Sequence, residues 1–222
     1  MSIKLVSSSA VVAAQHFNPS ITGQNWLIEH NILTPEESQV GSVFTDMFVQ
    51  VPTRDFHLQV MQENCQLAFP ADAPMEKQLT LLKERLGGIV ALLPHTPYTG
   101  VGLNFVWHVF PDNETVGSLC RRLFFSGDIP LYREFDKGDA RFGAYMSMDW
   151  NGYRLRLDAK PILLAPPDAL QTELVQLAFN YHLQVAGRPE PWKDIAGAFS
   201  QWQPAYNNSL SIVSSATGDK TI

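Results

Sequence analysis

The dipeptide Asn151-Gly152 restricts the fold of this chain more than any other short segment. Asn-Gly readily adopts the two positive φ angles that a two-residue type I′ hairpin turn requires. Such a turn pairs Trp150 with Tyr153 and fixes the register of the residues on either side. Met148 then faces Leu155 and Met146 faces Leu157 on one side of the ribbon, while Asp149 faces Arg154 and Ser147 faces Arg156 on the other. The sequence therefore predicts an antiparallel hairpin with one apolar side and one charged side.

Alternating apolar and polar residues predict two long strands, Tyr98 to Phe110 and Thr172 to Val185. Shorter β-rich runs predict an antiparallel meander over Ser42 to Val51, Asp55 to Met61 and Cys65 to Phe69. Gly100 and Gly102 lie inside the first long strand, and glycine at such positions indicates a bulge or a close approach of other groups to the backbone.

Helical spacing predicts three helices. The first has an apolar stripe, with Asp72 as its expected N-cap, and its members are Met75, Leu79, Leu82, Leu86, Ile89 and Leu93. The second runs from Glu114 to Phe124, and the third follows Pro191 and ends at Pro204. Thr34 and Glu37 have the spacing of a capping box, which predicts a further short helical turn.

Strands outnumber helices and occur in runs, which predicts an α+β fold: a mixed, mainly antiparallel sheet with about three helices packed on one face. We expect residues 1–222 to form a single domain, because one hydrophobic core is large enough for a chain of this length. The proline-rich segment Ala165 to Asp168 is then a rigid connection within that domain.

The formal net charge of −6, without any cluster of Lys and Arg, argues against nucleic acid as a partner. No apolar run reaches the length of a membrane span, and Val11 to Ala14 is too short for the apolar part of a signal peptide. We therefore expect a cytoplasmic protein that does not enter membranes. Cys65 and Cys120 are expected to be small buried apolar residues, and no cofactor is predicted.

The polar sides of the two long strands have an unusual composition. The first strand has no charged residue and the second has only Glu173, whereas a strand face open to water normally carries Lys, Glu or Arg. A neutral surface that can form hydrogen bonds is typical of the centre of a buried contact. The candidate interface or ligand-binding residues are His57, Asn104, His108, Gln176, Asn180, His182 and Gln184.

Two coverings of this neutral surface are consistent with the sequence. One is a second subunit, and the other is a segment of the same chain, such as the N-terminal residues or a loop. The Ser- and Thr-rich residues after Asn207 are likewise expected to be held by strand pairing or by a neighbouring molecule.

A metal site is a weaker hypothesis. His57, His108 and His182 fall on the polar sides of predicted strands, and three imidazoles can bind zinc, or iron if a carboxylate joins them. Against this, no two histidines have the short spacing that metal-binding pairs usually show.

No nucleophile elbow, phosphate-binding loop or dinucleotide motif is present, and the charged segment Asp128 to Arg141 is typical of a solvated loop. The sequence thus favours a non-catalytic binding or assembly protein, a homo-oligomer that self-associates through an uncharged sheet face or a strand edge. The alternative is a small-molecule-binding protein or enzyme whose pocket is built from dispersed His and Asn residues of the sheet, with or without a metal. Whether the protein is an enzyme stays open at this point.

Overall fold

A computed structural model describes residues 1–39, 41–165 and 170–218 of the chain. Within these ranges the strands are β1 (Ser2–Ala14), β2 (Val43–Phe44), β3 (Val49–Pro52), β4 (His57–Val60), β5 (Asn64–Phe69), β6 (Tyr98–Phe110), β7 (Ala144–Trp150), β8 (Tyr153–Leu164) and β9 (Thr172–Gln184). The helices are α1 (Gln24–Glu29), α2 (Met75–Leu81), α3 (Gly87–Leu92), α4 (Val116–Phe124), α5 (Pro130–Arg133), α6 (Pro191–Ala198) and α7 (Trp202–Thr217).

The nine strands form one open sheet in the order β2-β3-β4-β5-β1-β6-β9-β8-β7. Every pair of neighbouring strands in the described residues is antiparallel. The α+β class with a mainly antiparallel sheet is therefore confirmed. None of the helices in the described part of the chain is both long and apolar enough to cross a bilayer.

Strand β1 lies in the middle of the sheet, where it pairs with β5 on one side and with β6 on the other. This strand was not predicted from the sequence, and the N-terminal residues do not lie over the sheet, which was one of the two coverings expected from the sequence. Ser8, Ser9 and Ala10 are consecutive and all buried. Ser8 faces the core, where it donates to Gln78, and Ser9 is buried on the other side by its hydrogen bond with Asn104. With serine and small residues on both sides, the apolar-polar alternation that marks a half-buried strand is lost.

The predicted hairpin is confirmed in turn and in register. Asn151 and Gly152 have φ angles of 47° and 81°, as a type I′ turn requires. Trp150 pairs with Tyr153, and all four further pairs that the sequence predicts occur between β7 and β8. The long strand Tyr98–Phe110 and the antiparallel meander are also confirmed, with the meander divided into four strands rather than three.

The first predicted helix is confirmed as a continuous segment made of α2, a π-helical turn (Leu82–Leu86) and α3. Asp72 does not cap it, because Pro74 takes the N-cap position. Thr34 and Glu37 do form the reciprocal hydrogen bonds of a capping box, but they close only a turn and no helix follows. The second helix begins at Val116, where the Thr115 hydroxyl accepts a hydrogen bond from the backbone N–H of Ser118.

The prediction that Pro204 ends the third helix is wrong. Helix α6 passes through a 3₁₀ turn (Phe199–Gln201) into α7, and Pro204 lies in the first turn of α7. Proline is tolerated there because the first backbone N–H groups of a helix have no partner within the helix. Residues 208–217 consequently continue this helix, so the expectation that strand pairing holds them is wrong. The expected connection at Ala165 to Asp168 lies outside the described residues except for Ala165.

Gln78 connects β1, α2 and α7 in the core. Its side chain is 1% exposed, and its Oε1 accepts hydrogen bonds from the Ser8 hydroxyl at 3.0 Å and from the Trp202 indole at 3.2 Å. Its Nε2 donates to the carbonyl of Ala73 at 2.8 Å. All three elements therefore satisfy buried polar groups through one side chain.

Replacing this side chain tests the packing of the core. Gln78→Ala leaves the Ser8 hydroxyl and the Trp202 indole without their acceptor, so we expect it to lower the free energy of unfolding by about 3 kcal/mol. The same substitution at the exposed Gln62 is expected to change it by less than about 0.5 kcal/mol. Urea denaturation of both variants measures the difference, and equal effects would contradict the role given to Gln78.

Candidate functional site

The sheet has two chemically different faces. One carries Leu103, Phe105 and Trp107 of β6, which belong to the hydrophobic core. We call the opposite side of the sheet the polar face. Directly paired residues of antiparallel strands point to the same side, so the register assigns all seven predicted candidates to the polar face: His57 on β4, Asn104 and His108 on β6, and Gln176, Asn180, His182 and Gln184 on β9.

An amide network crosses the centre of this face. Asn180 donates from Nδ2 to Oδ1 of Asn104 at 2.7 Å, and Asn104 donates from Nδ2 to the hydroxyl of Ser9 at 3.3 Å. These three residues belong to the neighbouring strands β9, β6 and β1. The half-buried amides therefore find their partners within the chain, which is what burial of polar groups demands.

Gly100 and Gly102 make room for the side chains on this face, as expected of strand glycines that other groups approach closely. A Cβ atom on Gly102 would lie 2.8 Å from Nδ2 of Asn180, and one on Gly100 would lie 2.6 Å from Cε1 of His182. The side chains of Asn180 and His182 consequently lie flat across the backbone of β6. His182 also reaches Oε1 of the exposed Gln184, at 3.2 Å from its Nε2.

His108 is the most buried of the seven candidates, with 8% of its surface exposed. Its Nε2 lies 3.3 Å from Oε1 of Gln176 on the neighbouring strand. Burial lowers the pKa of His108 below its ordinary value, and the smaller effect of the hydrogen bond to Gln176 opposes this. The folded state therefore favours the neutral imidazole.

The three histidines of the metal hypothesis do not converge. His182 pairs with Gly102, whereas His108 is six residues further along β6, a separation of about 20 Å. His57 lies three strands away from β6, or about 15 Å across the sheet. The described residues contain no group of three His, Cys, Asp or Glu side chains placed to hold a metal ion.

His57 nevertheless has one unusual atom. Its Nε2 is buried, and no group in the described part of the chain bonds to it. The side chain as a whole is only half-buried, so this observation by itself does not define a binding site.

The polar face continues beyond the predicted candidates. Gln50, Gln59 and Gln66 are paired across β3, β4 and β5 and form a row of half-buried amides. They were not predicted as part of the site because each of these strands is too short to show a clear alternation. Ser9, Val11 and Ala13 of β1 also lie on this face and were not predicted, because β1 itself was not predicted.

The other reactive groups of the chain offer little chemistry. Cys65 and Cys120 are both buried, as predicted. Burial raises the pKa of the Cys65 thiol to about 12, and a thiol with so high a pKa is a poor nucleophile.

The charged segment 128–141 is almost entirely exposed, as expected of a solvated loop. Asp136 within it forms an ion pair with Arg121 at 2.5 Å.

The chain matches no protein-family model and no curated protein. The geometry of the nine-stranded sheet is therefore what guides the functional interpretation.

Gly102→Ala tests the amide network. The new methyl group displaces Nδ2 of Asn180 and breaks its hydrogen bond to Asn104, so we expect a loss of about 1 kcal/mol in the free energy of unfolding. Gly138→Ala is the matched control, since a Cβ atom there meets nothing within 4 Å. Urea denaturation measures both, and the side-chain amide signal of Asn180 in NMR spectra should shift only in Gly102→Ala.

The lowered pKa of His108 predicts a pH dependence of stability. Between the folded pKa and the ordinary value of about 6.5, the unfolded chain binds more protons at this site than the folded chain. The contribution of neutral His108 to the free energy of unfolding is complete above about pH 6.5, and it is lost as the pH falls through the pKa of His108 in the folded state. Thermal unfolding of wild type and His108→Gln between about pH 7.5 and 5.5 measures it, and parallel losses of stability in the two proteins would contradict the prediction.

Proposed function

We propose that this protein is a non-catalytic assembly protein that self-associates through the central part of its polar face. In this proposal the helices pack on the core face and leave the polar face free for a second copy. The contacts of α7 with β6 and β9 support this arrangement: the indole of Trp107 donates to Ser209 at 3.0 Å, and the phenol of Tyr181 donates to Asn208 at 2.9 Å.

The observation that carries the proposal is the near-absence of charge over six adjacent strands. From β3 through β4, β5, β1 and β6 to β9, the described residues of the polar face include a single charged side chain, Lys4. It lies at one end of the face, with its Nζ 5.6 Å from the centre of the Phe110 ring. Depletion of charge combined with hydrogen-bonding capacity is what distinguishes the centre of an interface from ordinary surface.

The size of this neutral area also supports an interface. Five strand spacings of about 4.8 Å and seven residues along β6 give a patch of about 24 Å by 24 Å. Its flat area of about 600 Å² approaches the ~800 Å² that each partner contributes to a stable protein–protein contact. Small residues on this face, such as Ala13, Ala68 and Ala178, allow a second sheet to approach closely.

Charges begin abruptly at the next strand. Along β8, the residues paired with the polar face of β9 are Arg154, Arg156, Asp158 and Lys160. A neutral centre bordered by a charged rim is the usual anatomy of a protein–protein interface. The pocket of dispersed His and Asn residues has less support, because His57, His108 and His182 are far apart.

Light scattering coupled to size-exclusion chromatography tests the proposal. We expect the wild-type mass to be at least twice the 24.8 kDa of one chain. Val106→Lys introduces a charge at the half-buried centre of the polar face and is expected to lower that mass. A wild-type protein that stays at one chain mass at every concentration would overturn the proposal.

Leu92→Lys on helix α3 is the control, because Leu92 is 41% exposed and lies outside the sheet. It makes the same type of change, from an apolar side chain to lysine, at a site that the proposal leaves free. We expect it to retain the wild-type mass, and an equal loss of mass in both variants would show that the effect is not specific to the polar face.

A further inference from the structure

The two edges of the sheet are protected very differently. Strand β2 forms one edge of the sheet and has only two residues, Val43–Phe44. Strand β7 forms the other edge and has seven residues, Ala144–Trp150. Short strands, prolines and lysines are the usual means by which proteins prevent edge pairing. β7 is not short and contains neither proline nor lysine, and its only charged residue is Asp149.

The side chains of this edge are unusually apolar for their exposure. Tyr145, Met146 and Met148 are 68%, 47% and 49% exposed. On the core side, a groove of about 270 Å³ runs beside β7. It is lined by Met146, Ser147, Met148, Leu155, Leu157, Phe179 and Ile212.

From these observations we infer that β7 pairs antiparallel with β7 of a second copy, in the register centred on Ser147, and extends the sheet across a two-fold axis. This inference rests on the proposed function only in taking the chain to be an assembly protein, since it uses a different surface. A two-fold interface requires a patch that is complementary to itself. Centring on Ser147 is the register that pairs all seven residues of the strand.

This register matches the chemistry on both faces. On the core side, Met146 of one copy lies opposite Met148 of the other, so the apolar floor of each groove continues into the second copy. On the polar side, the Tyr145 phenol lies opposite the Asp149 carboxylate of the second copy and can donate to it. A parallel arrangement would instead bring the two Asp149 carboxylates together, which is unfavourable.

The charges of the hairpin fit the same arrangement. Arg156 pairs with Ser147 in the sheet, is exposed, and has no ion-pair partner among the described residues. In the proposed register, Asp149 of the second copy lies two strands away from Arg156 on the same face, about 12 Å between Cβ atoms. A fully extended arginine side chain spans this distance to a carboxylate that also forms an ion pair with Arg154 of its own chain. The two-fold axis generates this charge pair twice.

A cysteine placed on the proposed axis tests the register. In Ser147→Cys the two copies present their thiols to each other, so we expect mild oxidation to give a covalent dimer on a non-reducing gel. Glu84→Cys is the control, because residue 84 is also exposed but lies on the helical segment away from β7. The native Cys65 and Cys120 are buried and do not compete. Cross-linking of Ser147→Cys no faster than that of Glu84→Cys would overturn the inference.

A charge on the strand edge separates this inference from the proposed function. Met148→Lys is expected to raise the dissociation constant of the edge contact by about tenfold, as measured by sedimentation equilibrium, while circular dichroism checks that the variant is folded. An effect of Met148→Lys but not of Val106→Lys would support the edge contact and refute association through the polar face. The reverse result would refute the edge contact and leave the proposed function standing.

Discussion

The pairing of β1 with both β5 and β6 is the interaction on which the rest of the structure depends. Without it, the sheet would divide into the meander β2 to β5 and the four strands β6 to β9. Consecutive serines of β1 also serve the two faces separately: Ser8 donates to Gln78 in the core, and Ser9 accepts from Asn104 on the polar face. One central strand therefore holds together the sheet, the core and the amide network.

Much of this fold could be predicted where local chemistry alone decides it. Asn151 and Gly152 determine their turn, and the turn determines the register of the hairpin, so no distant contact is needed. The long strand β6 was equally predictable, because one of its sides is apolar over thirteen residues. Strand β1 escaped prediction because its burial depends on neighbours that are distant in sequence. The continuation of the helical segment past Pro204 was not predicted, because proline is common both just after the end of one helix and in the first turn of the next.

The candidate site was predictable in composition but not in extent. The seven candidate residues do share one face, yet the sequence did not reveal that three glutamines of the meander and the small residues of β1 continue it. Part of the neutral composition has a purely internal cause, since Asn104, Asn180 and Ser9 satisfy one another. These hydrogen bonds do not involve the row formed by Gln50, Gln59 and Gln66. The breadth of the neutral area therefore supports an interface more than any single residue does. The metal hypothesis failed for a related reason, because sharing a face says nothing about separation along the strands.

The position of β1 also has a consequence for synthesis of the protein. β6 begins about 80 residues after β1 ends, which corresponds to roughly 4 to 16 seconds of translation at about 5–20 residues per second. During that interval a strand poor in charge has one or both of its hydrogen-bonding edges unoccupied. The nascent chain is therefore exposed to intermolecular mispairing during synthesis, whereas in the finished sheet both edges of β1 are paired.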